Sequence, residues 1–354
     1  MLESTTVRKD TLQKAFRTFF IYVVALAVAF GVISLILLLM GFNVPLALRT
    51  LLVTSFRSGF GFQETLKKTI TLIFTTYAFA IPYWIRFFNI GGVGQMMVGG
   101  TAAAIVGLIM VGANVHPLIA ITLMVMAGIA AGALFAAIAG YLQASYSINP
   151  IISTIMLNFV AVLIVNYFST TAPWRDPVAG HPMTLRFPPE YTLQPLFGFI
   201  PFSIIFAILS VAVVYLLMRK TKLGYEIMAV GYNLHAAQTY GVSFQKTIVI
   251  TFILAGGLAG LGGAMEVLTV HSRLVEGFEL TSGAQYGIFG ILTALIAAGN
   301  PLAIPVAAFF MSVLLVGADA LQRTMQIPVE MVFLAQALIV LFLVVLRARM
   351  EVKK

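Results

Sequence analysis

The feature that most constrains this chain is the recurrence of unbroken apolar runs, such as MVMAGIAAGALFAAIAGYL (124–142) and FSIIFAILSVAVVYLLM (202–218). An α-helix rises about 1.5 Å per residue, so about 20 apolar residues cross a hydrocarbon core of roughly 30 Å with every backbone polar group paired internally. The runs are continuous rather than alternating between apolar and polar residues, which excludes a transmembrane barrel. With 60% hydrophobic residues, 9% charged residues and a mean hydropathy of +1.02, the chain falls outside the balance of a soluble domain. The expected fold class is an all-α integral membrane protein.

Ten candidate spans lie near 19–41, 68–87, 93–112, 118–140, 150–170, 201–218, 247–268, 284–298, 301–318 and 328–346. The start MLESTTVRKDTLQKAFRT carries charges of both signs, and no small-residue cleavage site follows its apolar run, so the first span is expected to remain as an anchor. An even number of spans puts both termini on one side. The net charge of +9 is carried by cations that flank the spans, where they act as orientation signals and not as a nucleic-acid surface. Arg8, Lys9, Lys14 and Arg17, then Arg219, Lys220, Lys222 and Lys246, then Arg347, Arg349, Lys353 and Lys354 crowd against helix ends on one face. That face is expected to be cytoplasmic.

Residues 1–66 read as an N-terminal tail, first span and outer loop, and residues 67–354 as the core. Within the core, residues 171–200 hold Pro173, Pro177, Pro182, Pro188, Pro189 and Pro195 on the outer face. Such density of proline forbids a continuous helix and predicts an extended capping loop, either a solvated connector or a lid and docking surface. The blocks 67–170 and 246–346 each hold four spans, each opening on a lysine-flanked helix that runs into a glycine-rich break. One enters from outside and the other from inside, which is the arrangement of inverted repeats in transporters.

One polar island interrupts the apolar text: GYEIMAVGYNLHAAQTYGVS, within the cytoplasmic segment 219–246. Between Gly224 and Gly241 it is helix-forming but too polar to span, and a short surface helix is expected, with glycines turning the backbone at its two ends. Ile227, Met228, Leu234 and Ala237 would face the protein. Glu226, Tyr232, Asn233, His235 and Gln238 would face a soluble partner.

The pattern G-Y-E-I-M-A-V-G-Y-N-x-x-A-A-x-x-x-G-V, with FFNIGGVGQMMVGG (87–100), INPIISTIMLNFVA (148–161), GGLAGLGGAMEVLTVHSRLVEGF (256–278) and GADALQRTMQIP (317–328), resembles permeases of ABC importers in the branched-chain amino acid, ribose and nucleoside superfamily, and looks most like the nucleoside type. The resemblance covers roughly residue 67 to the C-terminus. It departs at His235, where the family often has proline. It implies a bacterial inner-membrane subunit with no cofactor of its own and ATP bound by a cytoplasmic ABC ATPase. A second, shorter permease and a receptor, either a lipoprotein or a periplasmic protein, would complete the assembly. It assigns ATPase coupling to Gly224, Glu226, Gly231, Asn233, Ala236, Ala237 and Gly241.

Candidates for the substrate path come from polar residues placed in apolar surroundings. Asn89 and Gln95 flank three glycines that would allow an unwound backbone able to bind polar atoms, or simply close helix packing. Glu279, Ser282, Gln285 and Tyr286 form the counterpart in the second block. Glu266 either lines the path or closes a helix end through His271 or Arg273, since a carboxylate near hydrocarbon needs a partner or a task. Asn158 and Asn166, two turns apart, suit interhelical hydrogen bonds. Phe278 and Phe289 could stack on a nucleobase, although packing serves equally well. Asp319, Gln322 and Arg323 read as a solvated outer turn.

No G-x-x-x-x-G-K-[ST] loop, H-E-x-x-H or G-x-S-x-G motif occurs, and there is no cysteine, so the chain is not expected to hydrolyse ATP or catalyse a reaction itself. Two rivals stand beside the nucleoside importer. One has the same architecture carrying a sugar or branched-chain amino acid. The other is an ion- or proton-driven secondary transporter, against which stands the scarcity of intramembrane acids.

Overall fold

The computed structural model describes residues 30–276 and 284–328, with isolated positions outside those ranges. Helices are α1 (Phe30–Leu39), α2 (Val44–Arg57), α3 (Gly59–Trp84), α4 (Gly92–Gly112), α5 (Pro117–Tyr146), α6 (Pro150–Thr170), α7 (Ile204–Lys220), α8 (Lys222–Tyr232), α9 (Leu234–Thr239), α10 (Phe244–Glu266), α11 (Ala284–Ile296) and α12 (Ile304–Met325). Five of the described helices are long and apolar enough to cross a membrane: α4, α5, α6, α12 and α10 with its extension to His271. The chain is an all-α, multi-pass membrane protein. Part of the candidate span at 328–346 and the start of that at 19–41 lie outside the described residues.

Contacts divide the chain into two units. One gathers the described parts of 1–61 and 313–354. There, Ile33, Leu37, Leu51, Leu321 and Ile327 surround a small apolar cavity of about 20 Å3, and the Ser55 hydroxyl donates to the Val313 carbonyl at 3.3 Å. The outer loop expected before residue 67 instead contains α2. Asn43 caps it by accepting from the Leu46 amide at 3.1 Å, and Pro45 supplies a preset φ in its first turn. Asp319, Gln322 and Arg323 belong to the last two turns of α12 and not to an outer turn, because the helical pattern continues past the apolar stretch to Met325.

The second unit, 62–312, holds the core. α4, α5 and α10 cross at backbone contact: a methyl group on Gly99 or Gly132 would overlap the backbone of Gly260, which is why these crossings are glycine-lined. Without a hydrophobic force between helices in lipid, this close approach is what drives association. Beside them, α3 is buried on nearly all sides from Thr69 to Pro82, although Thr65, Thr69, Thr71, Thr75 and Thr76 make it too polar to look like a typical span. Thr69 and Thr75 return their hydroxyls to carbonyls of the preceding turn.

Loops of this unit sort into two ends. At one end, the segments after α3, between α7 and α10, and after α11 touch one another: Arg86 Nε donates to the Gly231 carbonyl at 3.2 Å and Trp84 Nε1 to that of Gly299 at 2.8 Å. At the other end, the Tyr191 hydroxyl donates to the Val115 carbonyl at 2.8 Å, and backbone bonds join Thr184 to Leu274, Phe187 to Ser272 and Leu193 to Leu268. The proline-rich segment is therefore an ordered cap stitched to residues 268–276. Its regular structure is one 3-10 turn, Pro189–Tyr191, and isolated bridges.

Candidate functional site

The polar island folds as two helices. Asn233 breaks them, leaving the helical region at φ −155° and capping α9 by accepting from the Ala236 amide at 3.0 Å, so the single surface helix expected from the sequence is interrupted at its centre. Thr221 caps α8 in the same way through the Gly224 amide at 3.1 Å. α8 leaves the axis of α7 by 70°. Gly224 is not a turn residue. It sits inside α8, where a methyl group would strike the Leu217 carbonyl, so its absent side chain lets α8 fold back onto the end of α7. Gly241 does make a turn, at φ +81°, where side chains are disfavoured.

One face of this segment is sealed. Ile227, Val230 and Ala237 pack with Ile85, Ala136, Ala139, Ile248 and Phe252, joining α8 and α9 to the ends of α3, α5 and α10. Gly231 lies against the Trp84 carbonyl so closely that no side chain fits. The other face is open: Tyr225, Tyr232, Asn233, His235, Ala236, Gln238 and Tyr240 are exposed. Glu226 is half-buried and pairs with Lys222 at 3.6 Å, a surface contact that contributes little. Of the residues assigned to coupling, Asn233, Ala236 and Gly241 are exposed, whereas Gly224 and Ala237 are buried and shape the segment from within.

At the same end, Asn89 and Gln95 form a reciprocal amide pair, each donating to the other at 3.1 and 3.0 Å, with 1% of either exposed. Asn89 also donates to the Ala78 carbonyl at 2.9 Å and accepts from the Gly91 amide at 3.0 Å. Asn158 accepts from the Gly94 amide at 2.9 Å and donates to the Ile90 carbonyl at 3.1 Å. Asn158, singled out apart from Asn89 and Gln95, thus joins that pair in one clasp holding the turn between α3 and α4 against α6. The break is shorter than the sequence suggests: it ends at Gly91, and Gln95 is already helical. Asn166 does not repeat the role of Asn158, because its buried carboxamide oxygen has no hydrogen-bond partner among the described residues.

At the opposite end, Glu266 closes α10 and is 3% exposed. It accepts from the Thr71 hydroxyl at 2.5 Å and lies 3.9 Å from His271 Nε2. Arg273 instead reaches the Met183 sulfur. Lys67, Lys68 and Glu64 act on the carboxylate through space, Lys67 bonding to Glu64 at 2.8 Å and Lys68 to the Tyr286 hydroxyl at 3.3 Å. The backbone after Glu266 widens into a π-helical turn, Val267–His271, a local form frequent at functional sites. This turn forms one wall of a cleft of about 480 Å3, faced by Arg186, Thr192 and Gln194 of the proline-rich cap. The lysines and Thr71 were not singled out from sequence, although their i, i+4 spacing on α3 would have placed Lys67 and Thr71 on one face.

Phe289 is buried and stays in the packing of α11. Phe278, Glu279 and Ser282 lie outside the described residues, and Gln285 is placed only by its backbone, in the first turn of α11.

A family model described as the permease component of the branched-chain amino acid transport system matches residues 61–346. The chain is 30% identical to a glucose ABC transporter permease protein of Haloferax volcanii, over 82% of this chain and 78% of that protein. It is 29% identical to a guanosine ABC transporter permease protein of Bacillus subtilis (87% and 88% covered) and 28% identical to a nucleoside ABC transporter permease protein of Lactococcus lactis (90% and 89%). No solved structure matches. A match over most of the length, on a bundle whose polar segment and glycine-lined crossings carry the motifs quoted above, makes this chain an ABC transporter permease of the branched-chain amino acid transport system permease family.

Proposed function

We propose that the chain is the membrane-spanning subunit of a bacterial plasma-membrane importer that carries nucleosides and is driven by a separate ATPase pressing on α8 and α9. The observation that carries this reading is the two-faced construction of that segment. Its inner face is locked to the ends of α3, α5 and α10 by Gly231, Arg86 and the Ile227–Ala237 cluster, while Tyr232, His235, Ala236, Gln238 and Tyr240 stand free for a partner. Motion imposed there would reach α3 directly, and the far end of α3 carries Lys67, Lys68 and Thr71 beside Glu266.

The cation bias places α8 and α9 in the cytoplasm together with both termini, and the proline-rich cap outside, where a substrate receptor would dock. The substrate path would open at Glu266, Tyr286 and the segment holding Glu279 and Gln285, pass beside α3, and close at the clasp of Asn89, Gln95 and Asn158. A clasp satisfied by its own amides is a closed gate. A substrate or partner could open it only by binding the open form better. A second permease would complete the path. The nucleoside cargo is supported by the guanosine and nucleoside permeases among the relatives.

Sugar import is the second reading, favoured by the glucose permease among those relatives. Assembled transporter in proteoliposomes, offered labelled nucleoside and labelled glucose separately, tests the choice. ATP-dependent uptake of nucleoside is expected, and uptake of glucose alone would overturn it.

A further inference from the structure

The hairpin that precedes α7 is unexplained by transport. Leu196 and Ile200 exchange backbone hydrogen bonds, at 2.7 Å from the Leu196 amide and 2.9 Å from the Ile200 amide, and the Phe199 amide also donates to the Leu196 carbonyl. At the tip, Phe197 and Gly198 both take positive φ, +52° and +80°. That conformation disfavours a bulky side chain and persists only where the surroundings hold it. It turns Phe197 outward, leaving the residue 88% exposed, with Phe199 beside it exposed as well. In water this tip would combine backbone strain with an unfavourable apolar surface.

The neighbouring helix suggests what covers it. α7 has 17 residues, about 25 Å at the α-helical rise, which is short of a hydrocarbon core of roughly 30 Å. The deficit is not made up at its C-terminal end, where Arg219 and Lys220 already form the last two residues of the helix and α8 departs at 70°. At the N-terminal end the chain stays free of Asp, Glu, Lys and Arg from Tyr191 onward, through the hairpin and along the whole apolar part of α7. Ile205, Ile208 and Leu209 on α7 are exposed, as the phenylalanines are, so the apolar surface of the helix continues onto the hairpin. A closed hairpin is also the form irregular backbone must take near lipid, since its own bonds satisfy Leu196 and Ile200 and leave only the tip amides for headgroups.

We propose that Phe197–Gly198–Phe199 is a lipid-inserting anchor, seated at the boundary of headgroups and acyl chains in the leaflet on the capped side, where it supplies the thickness that α7 lacks. Aromatic side chains are enriched at that depth. The anchor would also tie the proline-rich cap to the bilayer, because the same segment runs through Leu193 to its bond with Leu268. The inference rests on the membrane-spanning reading of α7.

Because the chain has no cysteine, single Phe197→Cys, Phe199→Cys, Ile208→Cys and Val178→Cys variants can each carry one nitroxide. In assembled transporter within phosphatidylethanolamine–phosphatidylglycerol vesicles, collisions with oxygen and with a water-soluble nickel chelate report depth. Labels at 197 and 199 are expected to favour oxygen over nickel, as the label at 208 on α7 does. The label at 178, in the charged part of the cap, should do the reverse. A label at 197 that meets nickel as readily as the one at 178 overturns the anchor. So does protection from both reagents, which would mark a protein contact, and so does protection that appears only when a receptor is added. Failure of the label at 208 would refute the spanning reading of α7 separately.

Discussion

Replacing Gly231 by alanine adds one methyl group where the Trp84 carbonyl already lies. Taken alone, the change favours helix α8, since glycine within a helix costs about 0.5–1 kcal/mol relative to alanine. The obstacle is a backbone oxygen, which cannot rotate away as a side chain would. Relief requires α8 to move off the end of α3, at the cost of about 1–3 kcal/mol typical of overpacking. The net penalty is about 1–2 kcal/mol against the state in which α8 is seated on α3, roughly a factor of 5–30 in its population. If that seating transmits the ATPase stroke, ATP-driven uptake in proteoliposomes should fall by a similar factor at matched amounts of assembled complex, with ATP hydrolysis retained. Gly112→Ala, at the end of α4 where an added methyl meets nothing, is the control and should be silent. A Gly231→Ala transporter that takes up substrate at the normal rate would refute the seating argument.

Charge placed on the two faces of α9 should separate folding from coupling. Ala237→Glu buries an unpaired carboxylate beside Ile227 and Phe252 and should reduce the amount of folded protein in the membrane, whereas Ala236→Glu, on the exposed face, should leave abundance normal and lower uptake. Asn89→Leu and Gln95→Leu should each destabilise by about 1–3 kcal/mol by stranding the partner amide. The double variant should cost clearly less than the sum in a thermal-shift or denaturation assay. Thr71→Val removes the hydroxyl that Glu266 accepts from, and uptake should fall at matched abundance if that cluster forms the mouth of the path. Normal uptake in Thr71→Val would place the mouth elsewhere.

The long apolar runs made most of the spans legible, because hydrocarbon thickness demands continuous helix and little else does. α3 was legible only as a span, not as the buried centre, since its threonines lower its hydropathy while the hydroxyls of Thr69, Thr71 and Thr75 return to carbonyls of the preceding turn. The crossings of α4, α5 and α10 were written in G-x-x-x-G pairs, Gly128 with Gly132 and Gly256 with Gly260, a signal read as general glycine richness. α2 was missed because a 14-residue amphipathic helix resembles a loop when only spans are sought. Within the site, the exposed face of the polar island followed from its residue types. The break at Asn233 did not, because a cap depends on the local backbone, and Asn158 could be chosen but not joined to the pair of Asn89 and Gln95. That Asn158 on α6 meets the backbone of the turn at Ile90 and Gly94 is decided by packing, which no spacing along one helix encodes.

The claim that most needs testing is that α8 and α9 receive the work of a separate ATPase. The direct measurement is ATP-driven uptake of labelled nucleoside by this permease reconstituted with its ATPase, companion permease and receptor, comparing Tyr232→Glu and Tyr240→Glu on the open face with the unaltered chain at equal insertion. These variants are expected to release the ATPase from the membrane complex and abolish uptake while the permease remains folded. Full uptake with the ATPase still bound, or accumulation driven by an ion gradient with no ATPase present, would contradict it.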